Sequence, residues 1–280
     1  MNMPAALPLH LPQVTLCALD TRSPALALAA LQRCREHIQF GRSLLLSHGP
    51  PPQPWPDGVQ WVDVGPIRSA AEYSSFMLGK LLPWVDTTHV LIAQWDGFVS
   101  HAQRWEPAFL DVDYLGAPWG KARNGHHIGN GGFSLRSRRL LQALQDPALA
   151  ALWHHPEDVC MAQTLRPALE QHHGIVFADL ALGQRFAFEN EAPPGPTFGF
   201  HGIYNIERVI GPDAFAALFD SLPDSVITGR DGFKTARALY RDGQFALAHR
   251  FLQRRHQLGA ADWRTRWMAW RARHLLARRA

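Results

Sequence analysis

The chain has 280 residues, 46% of them hydrophobic, and a net charge of +4, enough apolar content for a substantial core and too much for disorder over most of its length. The charge is uneven: from Arg230 to Ala280 there are 13 Lys and Arg against 3 Asp and Glu, leaving 15 against 21 in the first 229 residues. Cys17, Cys34 and Cys160 lack CxxC spacing, which excludes a disulfide framework or zinc knuckle and fits a reducing compartment.

The opening MNMPAALPLHLPQ has neither a basic start nor a long apolar run, and no stretch approaches the roughly 20 apolar residues of a membrane span. A soluble, cytoplasmic protein is expected. Gln13–Asp20 reads as a first strand, and the segment after it as an amphipathic helix with Ser23 as N-cap and Pro24 at N1. GRSLLLSH reads as a second buried strand, and VQWVDVG, beyond the proline-rich loop 50–56, as a third. A helix follows from Ser69, with Glu72 at capping-box spacing and Tyr73, Phe76, Met77 and Leu81 on one stripe, ending near Pro83. It leads to a buried strand from Thr88 to Ala93 and a turn, Gln94 to Gly97.

The order of these elements predicts a layered α/β fold. In such folds ligands collect at the carboxyl ends of the strands, so Asp96 is either a turn residue before Gly97 or a chemical one. GNGGFSLRS places three glycines just before a helix expected to start near Ser137. It matches neither a Walker loop nor GxGxxG, and reads either as a packing turn or as a close backbone approach to an anion. In HPEDV, Glu157 and Asp158 either stabilise a helix start or supply a general base. In FGFHG, His201 is a structural residue or a metal ligand. Arg22 lies on the surface or pairs with a phosphate. From Gly229 the pattern is helical, with a helix-turn-helix over Ala236–Leu252 turning at Gly243.

Taken in order, HVLIAQWDGFV, YLGAPW, GNGGFSLRS, PEDV and FGFHG resemble the bacterial and eukaryotic domain-of-unknown-function family numbered 5672, itself similar to nucleotide-sugar glycosyltransferases of the A-type fold. The match runs from about Val14 to Asn205. The resemblance implies a Rossmann-like three-layer α/β domain over residues 1–228 and a basic helical extension over 229–280. It implies metal-assisted transfer of a sugar from a nucleotide-sugar donor to an acceptor hydroxyl on a glycan, lipid-linked or envelope saccharide, in the inverting or the retaining sense, as in bacterial polysaccharide biosynthesis. The alternative is a non-catalytic nucleotide-sugar or carbohydrate-binding protein.

Under this resemblance Asp96 is the surviving carboxylate of an Asp-x-Asp motif, with Gln94 where the first Asp would stand. Asp20, Thr21, Arg22, Gln94 and Asp96 would bind the donor. Asp96 and His201 would hold Mn²⁺ or Mg²⁺. Trp95, Gly97, Asn130, Gly131, Gly132, Phe133 and Arg136 would face the sugar or acceptor. Asp158 would be the base, with Glu157 as second choice.

The tail has Trp263, Trp267 and Trp270 at helical spacing among arginines. This stripe either docks into the domain or a second subunit, or rests on an anionic membrane at its inner face. Nucleic acid is disfavoured, because no RRM or KH signature accompanies the basic tail.

Overall fold

The structure, a computed structural model, describes residues 8–277 except 52, 192 and 261. The first seven residues of the opening segment and the last three of the basic tail, on which part of the reading of the termini rests, lie outside the described residues. Two compact units divide the chain, one ending at His201 and one beginning at Gly202. Residues 202–228, which the expected domain boundary places with the α/β domain, fall in the helical unit.

The first unit begins with β1 (Leu9–Leu19), α1 (Pro24–Arg35), β2 (Ile38–Ser47), β3 (Gln60–Asp63), α2 (Ala70–Gly79) and β4 (His89–Ala93). β5 (Tyr114–Gly116), β6 (Pro118–Arg123), β7 (His126–Ile128) and β8 (Phe133–Ser137) follow. The main sheet has the order β3-β2-β1-β4-β8-β5. The strands β3, β2, β1 and β4 are parallel, and β8 runs antiparallel to both β4 and β5. Every residue of β4 and β8, and Val14–Leu19 of β1, is buried. Side chains alternate between faces along a strand, so unbroken burial requires cover on both sides, the three-layer arrangement expected.

Local chemistry sets the element ends. Ser69 accepts from the Glu72 amide at 3.1 Å, as the capping-box spacing predicts, and Glu72 returns to the Arg68 amide at 2.8 Å. At α1 the expected cap is different: Ser23 makes no side-chain cap, and the Asp20 carboxylate accepts from the amides of Arg22 and Ser23 at 2.8 and 2.7 Å. The glycine turn also departs from the reading. FSLRS is strand β8, so Gly131 and Gly132 precede a strand and are not at a helix start. The helix does begin where expected, at α3 (Arg138–Ala143), with Ser137 accepting from the Leu140 amide at 2.9 Å.

The unit continues through α4 (Pro147–Ala150), α5 (Glu157–Val159), α6 (Arg166–His173), α7 (Leu180–Phe186), β9 (Ala187–Phe188) and β10 (Gly199–Phe200). A π-helical turn, Cys160–Thr164, extends α5. The three cysteines are free and buried.

The helical unit comprises α8 (Ile203–Ile210), α9 (Pro212–Phe219), α10 (Asp224–Thr228), α11 (Arg230–Arg241), α12 (Phe245–Gln257) and α13 (Trp263–Ala277). The predicted helix-turn-helix is the α11–α12 hairpin, and Gly243 takes φ +78° in its turn. Many of its basic side chains are neutralised internally: Arg208 pairs with Asp242 at 2.7 Å, Arg250 with Asp220 at 2.5 Å and Arg254 with Asp224 at 2.8 Å. Among the described residues no helix is long and apolar enough to cross a membrane.

Candidate active site

The chain lays down β1, β2 and β3 outward in one direction, then returns to place β4 on the other side of β1. The carboxyl ends of β1 and β4 therefore flank a topological switch point, where loops diverge and leave a crevice. A cavity of about 220 Å³ opens there, lined by Asp20, Thr21 and Arg22 from β1, Tyr73 from α2, and Gln94 and Trp95 from β4. Its rim is ordered by local bonds. The Thr21 hydroxyl accepts from the Ile67 amide at 3.1 Å, and Arg22 donates to the Arg68 carbonyl at 2.8 Å. Trp95, expected to face the sugar or acceptor, lines this cleft together with the residues expected to bind the donor.

Immediately past β4 the chain folds into a tight turn in which the Gly97 amide donates to the Gln94 carbonyl at 2.9 Å. His201, from the end of the unit, sits against this turn. Its Nε2 lies 3.2 Å from Gln94 Oε1 and 3.5 Å from Asp96 Oδ1, and its Nδ1 lies 3.3 Å from Glu189 Oε1. Burial alone would lower the pKa of the imidazole, but Asp96 and then Glu189 outweigh it and push it up to about 10. Gln94 is held on its other side, where its amide donates to the Tyr73 hydroxyl at 2.9 Å. The neutral side-chain amide of Gln94 thus bridges Tyr73 and His201 and fixes the ring.

The glycine segment closes behind His201. The Gln94 amide donates to the Gly132 carbonyl at 3.0 Å, and a Cβ at Gly132 would collide with the His201 ring. The side-chain oxygen of Asn130 accepts from the amides of Gly132 and Phe133 at 3.1 and 3.3 Å, which turns its NH₂ toward His201 Nδ1 at 3.0 Å. The glycines serve close packing of the cluster.

Phe133 and Arg136 are corrected from the acceptor side to the interior. Phe133 is fully buried and stacks on Phe186 at 5.2 Å between ring centroids. Arg136, also fully buried, is the counter-ion of Glu157 at 3.2 Å. Asn130, Gly131, Gly132 and Gly97 are buried as well. These residues form the scaffold of the site, and of the acceptor-side set only Trp95 keeps partial exposure.

The acidic pair divides by environment. Glu157 is 6% exposed and committed to Arg136, so it is not free to accept a proton from a substrate. Asp158 is partly exposed, and its carboxylate accepts from the amide of its neighbour, Val159 N, at 2.8 Å. Burial, followed by the charge of Glu157, raises its pKa to about 6. Breaking the Arg136–Glu157 pair strands a buried guanidinium, so Glu157→Ala is expected to destabilise the fold by about 3–5 kcal/mol. Chemical denaturation checks this, and a variant as stable as the parent would show that the pair does not hold β8 to α5.

A metal fits part of this arrangement. Among the described residues no group of three or more His, Cys, Asp or Glu is placed to hold an ion. Mg²⁺-type ions in phosphate-handling sites take one or two protein ligands and complete the shell with phosphate oxygens and water, and Mn²⁺ shares their preference for oxygen ligands. Asp96 and His201 would be such a pair only when the ion displaces the Nε2 proton that Asp96 and Glu189 hold on the ring, and Glu189 on the far ring nitrogen would then orient the ligating histidine. Glu189 and Tyr73 were not among the candidates read from sequence. Glu189 stands in a Pro/Gly loop with no periodicity to mark it, and Tyr73 shares a helical stripe with core residues.

A twisted mixed sheet covered on both faces, with a polar cluster at its switch point, defines a Rossmann-like α/β protein. A family model matches residues 59–201, just over half of the chain, and the chain belongs to that family, described as a protein of unknown function, DUF5672. No curated protein matches the sequence.

Among solved structures, the chain is similar to the galactosyltransferase LgtC in complex with donor and acceptor sugar analogs, at 14% identity and TM-score 0.45, over 76% of this chain and 98% of that one. It is similar to a glycosyltransferase involved in glycosylation of the major capsid of PBCV-1, at 11% identity and TM-score 0.41, over 67% and 92%. A third likeness is to the mannosyltransferase PcManGT from Pyrobaculum calidifontis in complex with GDP-Man and Mn²⁺, at 11% identity and TM-score 0.37, over 98% and 89%. At these identities and scores, the chemistry of this chain has to be argued from its own residues.

Proposed function

We propose that the protein transfers a glycosyl group from a nucleotide-sugar donor to an acceptor hydroxyl. The observation that carries this reading is the pairing of Asp96 with His201 at the carboxyl end of β4, beside the switch-point cleft. The nucleoside lies in the cleft against Asp20 and Thr21, and Arg22 at its rim offers a planar fork to the diphosphate. A divalent cation held by Asp96 and His201 would offset the charge that builds on the departing diphosphate.

Asp158 removes the proton from the acceptor hydroxyl. The acceptor oxygen then bonds to the anomeric carbon as the bond from that carbon to the diphosphate oxygen breaks, and the nucleoside diphosphate leaves. A carboxylate with a pKa near 6 is mostly ionised at neutral pH yet more basic than an ordinary Asp, which suits a general base. The acceptor occupies a second cavity, of about 680 Å³, between Trp119, Arg185, Phe188 and the loop 193–197. Glu189 belongs both to its wall and to the surroundings of His201, which sets this cavity beside the His201 cluster.

The neutral Gln94 favours a second reading, a nucleotide-sugar-binding protein without transfer. Thermal shift and donor hydrolysis, measured with a panel of nucleotide sugars with and without Mn²⁺, separate the two. The expected result is a raised Tm for one nucleoside series, about 2.7 kcal/mol of stabilisation at a hundredfold excess over Kd, with slow release of nucleoside diphosphate. Binding without release in the presence of hydroxyl acceptors supports the second reading, and no shift with any donor contradicts both.

A further inference from the structure

The last helix carries the most exposed aromatic surface in the described chain. In α13, Trp263, Trp267 and Trp270 are 72%, 50% and 62% exposed, although indole is highly buried on average. At 3.6 residues per turn, these three and His274 fall on one stripe. The opposite side of the helix is its packed face, where Thr265, Met268 and Ala272 are buried and α12 lies against it. Arg264 and Arg271 line one flank of the tryptophan stripe, Arg266 and Arg273 the other, and all four are exposed.

Unlike Arg208, Arg250 and Arg254, these four form no ion pair among the described residues, and α13 contains no acidic residue. Arg264 and Arg271 lie over the rings of Trp263 and Trp267 at 5.4 and 5.0 Å; Asp262, whose carboxylate caps the helix by accepting from the Thr265 amide at 2.8 Å, lies near Arg264 without forming an ion pair with it.

We propose that this face rests on an anionic membrane surface, with the three indoles at the headgroup level and the four guanidinium groups against lipid phosphates. Indole prefers that depth because one part of the ring is apolar and its N–H is wet. The charge pattern selects among occupants. A second copy presenting the same face across a two-fold axis would set four arginines against four arginines, so self-association through this face is opposed. A purely polyanionic partner would satisfy the arginines but would not supply an apolar phase for the indoles. The helix lies along the surface and does not insert across it.

The full-length protein, sedimented with vesicles of phosphatidylcholine alone or mixed with phosphatidylglycerol, tests this. Binding is expected only with the anionic lipid and is expected to weaken as salt is raised. Arg266→Gln with Arg273→Gln should lower partitioning roughly 25-fold, at about fivefold per arginine near a charged surface. Trp263→Ala, Trp267→Ala and Trp270→Ala together should reduce it to the phosphatidylcholine background. Because these side chains are exposed, circular dichroism and Tm should match the parent. Equal binding to both vesicle types at low salt overturns the proposal, as does a tryptophan variant that binds like the parent. It is also overturned if single-stranded nucleic acid competes the protein off the vesicles with the same residue dependence, or if the parent is a dimer that the tryptophan variant dissociates.

Discussion

Asp158→Asn is expected to leave donor affinity unchanged while slowing transfer by roughly 10²–10⁴-fold, the usual contribution of a positioned general base. Asn has nearly the same shape and keeps the site packed, but it cannot accept the acceptor's proton. The pH profile of the parent carries the same information. A base with a pKa of about 6 should give kcat/KM that rises through that pH and levels above it, and the variant should lose this limb.

Stability should move in the opposite direction. The folded-state pKa of Asp158 lies above the ordinary carboxylate value, so the folded form binds the proton more tightly than the unfolded chain. Its contribution is fully present below the unfolded pKa and is lost as pH rises through about 6. At neutral pH the parent holds an unfavourable partly buried charge, and Asp158→Asn should be the more stable protein by up to roughly 2–3 kcal/mol. That difference should vanish toward acidic pH. A variant that is both inactive and less stable at neutral pH would mark Asp158 as a structural residue.

Asp96→Asn should fail differently. Its carboxylate lies 3.5 Å from His201 Nε2 at the end of β4, so its neutralisation would remove the charge offered there to a cation. Mn²⁺-dependent donor affinity should fall by about a hundredfold or more, near 2.7 kcal/mol, before any chemistry is measured. Titration calorimetry with the donor, with and without Mn²⁺, checks this. If both variants lose donor affinity equally, Asp158 is not acting on the acceptor. If Asp96→Asn binds and turns over like the parent, the metal assignment fails.

The fold was legible wherever burial is continuous along the chain. The runs around Val14–Leu19 and Val90–Ala93 are apolar because both faces of the sheet are covered, and they mark the two strands that flank the cleft. β8 was hidden because its burial depends on a partner far away in sequence. The arginine in FSLRS reads as a residue facing the sugar or acceptor, and its burial is tolerable because Glu157, 21 positions on, supplies the counter-charge. The same pairing separates the roles of Glu157 and Asp158, which adjacent letters cannot do.

Asp96 and His201 were legible as a set through the family resemblance, and the structure brings them together. Glu189, Tyr73 and the bracing role of Gln94 depend on side chains that converge from separate loops. No local periodicity records such convergence, and neither does it record that the interior claims Phe133 and Arg136.

The central claim is that a nucleotide-sugar diphosphate sits between the ends of β1 and β4. It is tested most directly by a crystal of the full chain soaked with nucleoside diphosphate and Mn²⁺ and measured at the manganese absorption edge. The account predicts one anomalous peak bound by Asp96 and His201, with the nucleotide base beside Asp20 and Thr21 and its phosphates toward Arg22. Nucleotide in the cavity lined by Trp119 and Phe188, or ordered in the β1–β4 cleft with its phosphates directed away from Asp96, would contradict it.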